Sequence, residues 1–275
     1  MTDLVDSSGQ RARQAGLRVP VLMYHEISTE PAVSSWLAAA PGRFAQQLEY
    51  LRGSGYHALT AGELASALKS GTTLPAKPVV LTFDDGTADF YEIALPLLAE
   101  HGFTATLFAT SGWMTGKDGR ACCRKNPPGM LSWDQLRTIA GAGIEIGAHS
   151  VTHPPLDQLP PDPLRRELAD SKAELESQLG RQVPGVAYPF GYSSRLVRAC
   201  ASGAGYEYGC VVGNRLATAD ADPYALPRLT IARTTRLPGF ARTVAAQRLP
   251  VEFAGYRLLT LGWSAVRKAR NRTAR

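Results

Sequence analysis

The chain has 275 residues, 44% of them hydrophobic and 20% charged, which suffices for a large buried core and is ordinary for a folded protein. No apolar run approaches the roughly 20 residues that a membrane-crossing helix needs. The formal charge of +6 sits at one end: residues 256–275 carry six basic side chains and no acid, leaving 24 basic against 24 acidic elsewhere, and no basic stripe with interleaved aromatics enters the body, which argues against nucleic acid as a partner.

Residues 1–18 are polar, with Asp3 and Asp6 near the start and no apolar core. They read as a disordered arm and not as a secretory signal, so the expected location is cytoplasmic. Short apolar runs then alternate with helical patterns. Candidate strands are 19–24, 56–59, 79–83, 105–109, 144–147, 185–188, 208–212 and 226–231. Candidate helices are 44–51, 90–99, 133–140 and 164–179. The third begins behind Ser132 with Gln135 three residues on, a capping-box pattern. The fourth carries Leu164, Leu168, Leu175 and Leu179 on one stripe and stops at Gly180. Strand–helix alternation of this kind predicts an α/β fold with a parallel sheet, closed or nearly closed into a barrel of seven or eight strands in a single domain of residues 19–250. An open doubly wound sheet is the alternative.

Residues 251–275 form a basic tail, in which Leu258, Leu259, Leu261, Trp263 and Val266 precede the charge cluster. This suits an interfacial helix making weak contact with anionic lipid at the inner membrane surface. A docked terminal helix with a solvated basic end explains the same residues more plainly. Cys122, Cys123, Cys200 and Cys210 lack zinc-ribbon spacing and read as free thiols.

In a parallel barrel the chemistry lies where the strands end. The run 19–24 ends in His25, and 79–83 ends in Asp84-Asp85-Gly86. The run 144–147 leads to His149, with His153 four residues on, and 185–188 leads to Tyr188-Pro189-Phe190-Gly191. Adjacent aspartates at a buried strand end repel and are costly to desolvate, and a cation relieves both problems; the plain alternative is an Asp-Gly turn. Two histidines and Asp85 form a donor set for zinc or another first-row divalent ion, with a position left open for water. Asp84 then lies beside that water and can take its proton. His57 and His101 read as structural. Trp36 and Trp113, in loops on the same face, are placed for core packing or for stacking on a sugar ring.

Thr82-Phe83-Asp84-Asp85-Gly86, His149-Ser150-Val151-Thr152-His153 and Tyr188-Pro189-Phe190-Gly191 resemble the first three motifs of the polysaccharide deacetylases, the NodB-homology or family-four carbohydrate esterases. The resemblance spans about residues 19–231. It implies a distorted (β/α) barrel and metal-dependent removal of N- or O-acetyl groups from an acetylated carbohydrate. It also implies Asp84 as base, Asp85, His149 and His153 as holders of one divalent ion (Zn2+ or another first-row metal), and backbone donation to the oxyanion from within the segment Tyr188-Pro189-Phe190-Gly191. Two departures stand out. Ala187 occupies the place of a motif arginine, and no histidine follows His153 to act as general acid. Met23-Tyr24-His25 resembles a branch, found among biofilm-polysaccharide deacetylases, in which an N-terminal histidine is the acid. Arg228 could orient Asp84 in place of the missing arginine, or could make a surface ion pair. Two other functions stay open: a non-haem Fe(II) oxygenase with the same two-His, one-Asp set, and a catalytically inactive carbohydrate-binding protein.

Overall fold

All eight apolar runs are strands in the computed structural model, which describes residues 16–30, 36–114 and 129–255. Most of the arm, the tail beyond Gly255, and Cys122 with Cys123 lie outside the described residues. Arg18, assigned to the arm from the sequence, begins a strand, β1 (Arg18–Val19), because a partner from far along the chain reaches it. It pairs antiparallel with β9 (Ala217–Thr218).

The main sheet is wholly parallel. It consists of β2 (Val21–Tyr24), β3 (His57–Leu59), β4 (Pro78–Phe83), β5 (Thr106–Ala109), β6 (Glu145–Ala148), β7 (Gly185–Ala187), β8 (Tyr208–Val212) and β10 (Leu226–Thr230). β2 pairs with β10 through Leu22↔Leu229 and with β4 through Val21↔Val80, and these two ladders close seven strands into a barrel. β3 is the eighth strand and stays outside the ring. It pairs with the first half of β4, on the edge opposite β2, since Val80 faces both Val21 and Leu59.

Period-two alternation sorts the strand residues into two cores. Val21, Val80, Phe108, Ala187, Cys210 and Leu226 point inward. Leu22, Leu81, Phe83 and Leu107 point outward, beneath the helices. Each such side chain, fully buried, contributes about 1.5–3 kcal/mol. The outward face is covered by α1 (Pro41–Gly53), α3 (Leu95–His101), α4 (Trp133–Gly141), α5 (Pro161–Leu179), α6 (Arg195–Gly203) and α7 (Leu237–Val244), with a short α8 (Leu249–Glu252) after them. The helix expected over 90–99 opens instead with a π turn, Phe90–Ala94. Pro96, in the first turn of α3, has no N–H to continue the regular ladder.

The remaining helix, α2 (Ala61–Ser70), does not cover the sheet. Its Ala61, Leu64 and Ala65 join the inward core and plug the end of the barrel where the strands begin. Thr60 caps it through a reciprocal box with Glu63. The plug meets a buried carboxylate. Glu145 accepts from the Gly62 N–H at 3.1 and 3.2 Å, from the Thr106 hydroxyl at 3.0 Å and from the Tyr208 hydroxyl at 2.5 Å. Glycine is required at position 62, because a Cβ there would lie 2.1 Å from a Glu145 oxygen. With one end plugged, only the end where the strands finish is open to a substrate.

Candidate active site and metal centre

Four strand ends deliver the expected residues to that open end. Asp84 and Asp85 follow β4, His149 follows β6, Tyr188 follows β7 and His25 follows β2. Backbone bonds tie these ends together: the Asp84 N–H donates to the Tyr24 carbonyl at 3.1 Å, and the His149 N–H donates to the Ala109 carbonyl at 2.9 Å.

Asp84 is clamped. Arg228, wholly buried on β10, donates from Nη1 to Oδ1 at 2.5 Å and from Nη2 to Oδ2 at 2.8 Å, and also reaches the Thr82 hydroxyl at 3.3 Å. The surface ion pair that the sequence left open for Arg228 is therefore overturned. The residue points inward and forms a two-pronged pair, with its guanidinium 5.6 Å from the Phe108 ring centre. Burial opposes the charge on Asp84, yet the charge and hydrogen bonds of Arg228, with His149 and His25 nearby, outweigh it and hold the carboxyl well below the usual range.

Asp85 is in the opposite condition. Burial, and then the charge of Asp84 beside it, push its carboxyl up to about 8. Its Oδ1 is buried without a hydrogen-bond partner, an expensive state unless something else binds there. The side chains facing that oxygen are His153 Nε2 at 3.4 Å and His149 Nε2 at 3.6 Å. One ligand atom from each of the three residues falls within 4.8 Å of the others. The His149 tautomer is set by the Ala187 carbonyl, 2.7 Å from Nδ1, which leaves the Nε2 lone pair facing Asp85. Burial pushes His149 down to about 4 and His153 to about 3, so both rings are neutral donors at neutral pH. An orphaned buried oxygen between two neutral imidazole nitrogens fits a divalent cation.

The backbone is bent to make this cluster. Asp85 (φ 76°), Ser150 (φ 65°), His153 (φ 59°) and Phe190 (φ 61°) all occupy the left-handed region. Strain of this kind costs about 1–3 kcal/mol per residue and persists only where surroundings enforce it. After Asp85, Gly86 (φ 87°) takes a turn in which a Cβ would meet Met114 at 2.8 Å. Pro154 keeps His153 out of a right-handed helix. Glu167 on α5 holds the loop between the two histidines, accepting from the Val151 and Thr152 N–H groups at 2.9 Å each and from the Thr152 hydroxyl at 2.6 Å. The sequence did not mark Glu167, because it is one acid among many on an amphipathic helix. Nor did it mark Asp89, which accepts from the Ile27 N–H at 2.5 Å and so fixes the turn after His25.

His25 joins the cluster, close enough for Asp84, Arg228 and His153 to act on its charge. Burial pushes it down to about 4, below the usual imidazole value. In the 188–191 segment the four residues differ. Pro189 has no N–H, Tyr188 donates to the Cys210 carbonyl, and Gly191 donates to the Tyr188 carbonyl. That leaves the Phe190 N–H as the segment's uncommitted donor. The Tyr188 side chain is a core group whose hydroxyl donates to the Tyr224 carbonyl at 3.0 Å. Aromatic rings flank His153, Trp113 at 5.0 Å and the half-exposed Phe190 at 4.9 Å. Trp36 is 55% exposed on the rim.

The model of the family described as polysaccharide deacetylase matches residues 71–209. The chain belongs to the polysaccharide deacetylase family. Among proteins similar to this deacetylase, YxkH of Bacillus subtilis (strain 168) is 29% identical over 226 residues, spanning 82% of this chain and 76% of that protein. The poly-beta-1,6-N-acetyl-D-glucosamine N-deacetylase of Escherichia coli (strain K12) is 26% identical over 136 residues, 47% of this chain but only 20% of that protein. Among solved structures, the Streptococcus pyogenes deacetylase PplD in complex with acetate superposes with a TM-score of 0.74 at 28% identity, covering 83% of this chain and 98% of that one. IcaB from Ammonifex degensii gives 0.70 at 25% identity, over 84% and 97%. The distorted barrel expected from the sequence is thus the family's fold. The deacetylase is a hydrolase of amide bonds other than peptide bonds, as expected.

His57 and His101 have structural partners in this deacetylase, the Ala76 and Leu97 carbonyls at 2.8 Å each. Cys200 and Cys210 are free thiols. Among the described residues no helix is long and apolar enough to cross a membrane.

Proposed function

We propose that this deacetylase removes acetyl groups, chiefly N-acetyl, from an acetylated glycan or glycan precursor, with one divalent ion held by Asp85, His149 and His153. The observation that carries the metal assignment is the partnerless buried Oδ1 of Asp85 facing two imidazole nitrogens. An N-acetyl substrate is supported by the Escherichia coli relative, which is named for an N-acetylglucosamine polymer. The donor set suits Zn2+ and other first-row divalent metals alike.

The bound ion supplies Lewis-acid polarisation of the acetyl carbonyl and of water. The rest falls to the chain. Asp84, kept ionised by Arg228, takes the proton of the attacking water. The Phe190 N–H donates to the oxygen on which negative charge develops, from a turn already locked by its neighbours. His25 then delivers a proton to the leaving nitrogen, without which the amine would depart as an unfavourable anion. Since burial keeps His25 neutral at pH 7, the imidazole must receive that proton during the cycle, and Asp84, whose charge it feels, is the source beside it. Trp113 and Phe190 form apolar walls suited to a sugar face.

The test is acetate release from a panel of N- and O-acetylated glycans, with and without chelator. Chelator-sensitive release, strongest on acetamido sugars, is the expected result. Iron-dependent oxygen uptake without acetate would favour the oxygenase reading, and glycan binding without either would favour an inactive binding protein.

A further inference from the structure

Where the chain leaves β2 and β10 lies a cavity of about 420 Å³ whose polar lining is Ser28, Thr29, Arg43, Arg233, Thr234 and Arg236. Three guanidinium-bearing residues meet there, and among the described residues no carboxylate lines the cavity. The Arg233 and Arg236 side chains are exposed and make no ion pair with a carboxylate among the described residues. Arg43 is half-buried, and its Nη1 donates to the Arg233 carbonyl.

The site is built before any ligand arrives. The Arg233 N–H donates to the Trp36 carbonyl at 2.9 Å, the Thr235 N–H donates to the Ala232 carbonyl at 2.9 Å, and the Ala232 N–H donates to the Thr235 hydroxyl at 3.0 Å. The Ser28 oxygen accepts from the Glu30 N–H at 3.0 Å, so its own proton is free to donate. The cavity also belongs to the catalytic face. Arg233 and Arg236 follow β10, the strand that carries Arg228, and Ser28 and Thr29 follow His25. The Ile231 N–H donates to the Met23 carbonyl at 2.9 Å. With two residues on each side of that bond, the backbones of Arg233 and His25 cannot be more than roughly 20 Å apart.

Like charges gathered without a counter-charge repel, and an anion relieves them as a cation relieves the paired aspartates. Guanidinium forks flanked by hydroxyl donors match the several oxygens of a phosphate, monoester or diester, better than the two oxygens of one carboxylate. We infer that this cavity is a phosphate subsite, and that the acetylated sugar offered to the catalytic cluster is joined to a phosphate, as a monoester or as the diester of a carrier or polymer. The sugar part of this inference rests on the deacetylase reading above, while the anion site does not.

Calorimetric titration of the metal-loaded protein with N-acetylglucosamine 1-phosphate, its methyl phosphodiester, N-acetylmuramate and neutral N-acetylglucosamine tests it. A phosphorylated sugar should bind at least tenfold more tightly than the neutral one, with a preference that falls as salt rises. Arg233→Ala/Arg236→Ala should erase that preference, and Arg233→Lys/Arg236→Lys should keep part of it; both exchanges are at exposed positions. Whichever of monoester and diester binds more tightly identifies the natural linkage. Equal affinity of wild type for phosphorylated and neutral sugars overturns the subsite, as does a preference that survives the alanine pair or an equal preference for N-acetylmuramate. Acetate release is read separately. Phosphate preference without acetate from any glycan would refute the deacetylase reading and leave the subsite standing, and acetate release without phosphate preference would do the reverse.

Discussion

Both ends of the barrel bury carboxylates, and they treat them in opposite ways. At the closed end Glu145 receives hydrogen bonds from Gly62, Thr106 and Tyr208, around helix α2 with its regular caps. At the open end Asp85 keeps an oxygen with no partner, in a left-handed backbone, beside the already ionised Asp84. A satisfied carboxylate holds a structure together, whereas an unsatisfied one is waiting for something the chain does not supply. The same contrast separates Arg228, paired with Asp84, from Arg233 and Arg236 on the rim.

The contrast breaks outright if Asp85 is not a ligand. Asp85→Ala and His153→Ala should each reduce the bound divalent ion from near one per chain to near zero and abolish acetate release. Elemental analysis of the purified variants checks this, and a full equivalent of metal in both would remove the distinction. Next in size is His25→Ala, which should retain its metal while kcat on an acetamido sugar falls by about 10²–10⁴-fold. An ester with a good leaving group should suffer much less, and equal losses on both substrates would show that the residue does not serve the leaving nitrogen.

Asp84→Ala strands the Arg228 charge in the barrel. Unfolding in denaturant should show a loss of about 3–5 kcal/mol, and replacing Arg228 by Met in the same chain should recover much of it. At the closed end, Gly62→Ala drives a methyl group into the Glu145 carboxylate. It should cost about 1–3 kcal/mol and leave metal content unchanged, which sharpens the division between a structural end and a chemical one.

The smallest effect concerns pH. Burial raises the Glu145 carboxyl above its ordinary value, even with hydrogen bonds from Tyr208, Thr106 and Gly62 that favour the charge. A raised folded-state value means that protonation favours the fold. This contribution is complete below the unfolded value and is lost as pH rises through the folded one. Glu145→Gln has no such dependence, so the stability of wild type relative to the variant should decline as pH rises above the ordinary glutamate value. Parallel stability curves would show that Glu145 does not titrate there.

The sequence by itself determined the eight strands of the main sheet, since runs such as 79–83 are apolar or β-branched at every residue, as suits a strand buried on both faces. It also determined the chemical set of Asp84, Asp85, His149 and His153, because a strand in a parallel barrel carries its next residues to one shared end. The helix at Ala61–Ser70 was legible in the Thr60/Glu63 capping box but not marked. Only the tertiary structure decided that this helix enters the barrel, because its apolar stripe looks like that of any covering helix until Glu145, 83 positions away, closes over Gly62. Only the tertiary structure decided that Arg228 pairs with Asp84, since a charge can be supplied from any strand whose inward face reaches the same point. The left-handed turns at Asp85, His153 and Phe190 were equally hidden. Aspartate and histidine enter that region more readily than most residues, but nothing in the sequence selects these positions for it, and the backbone there is imposed by bonds from elements distant in the chain.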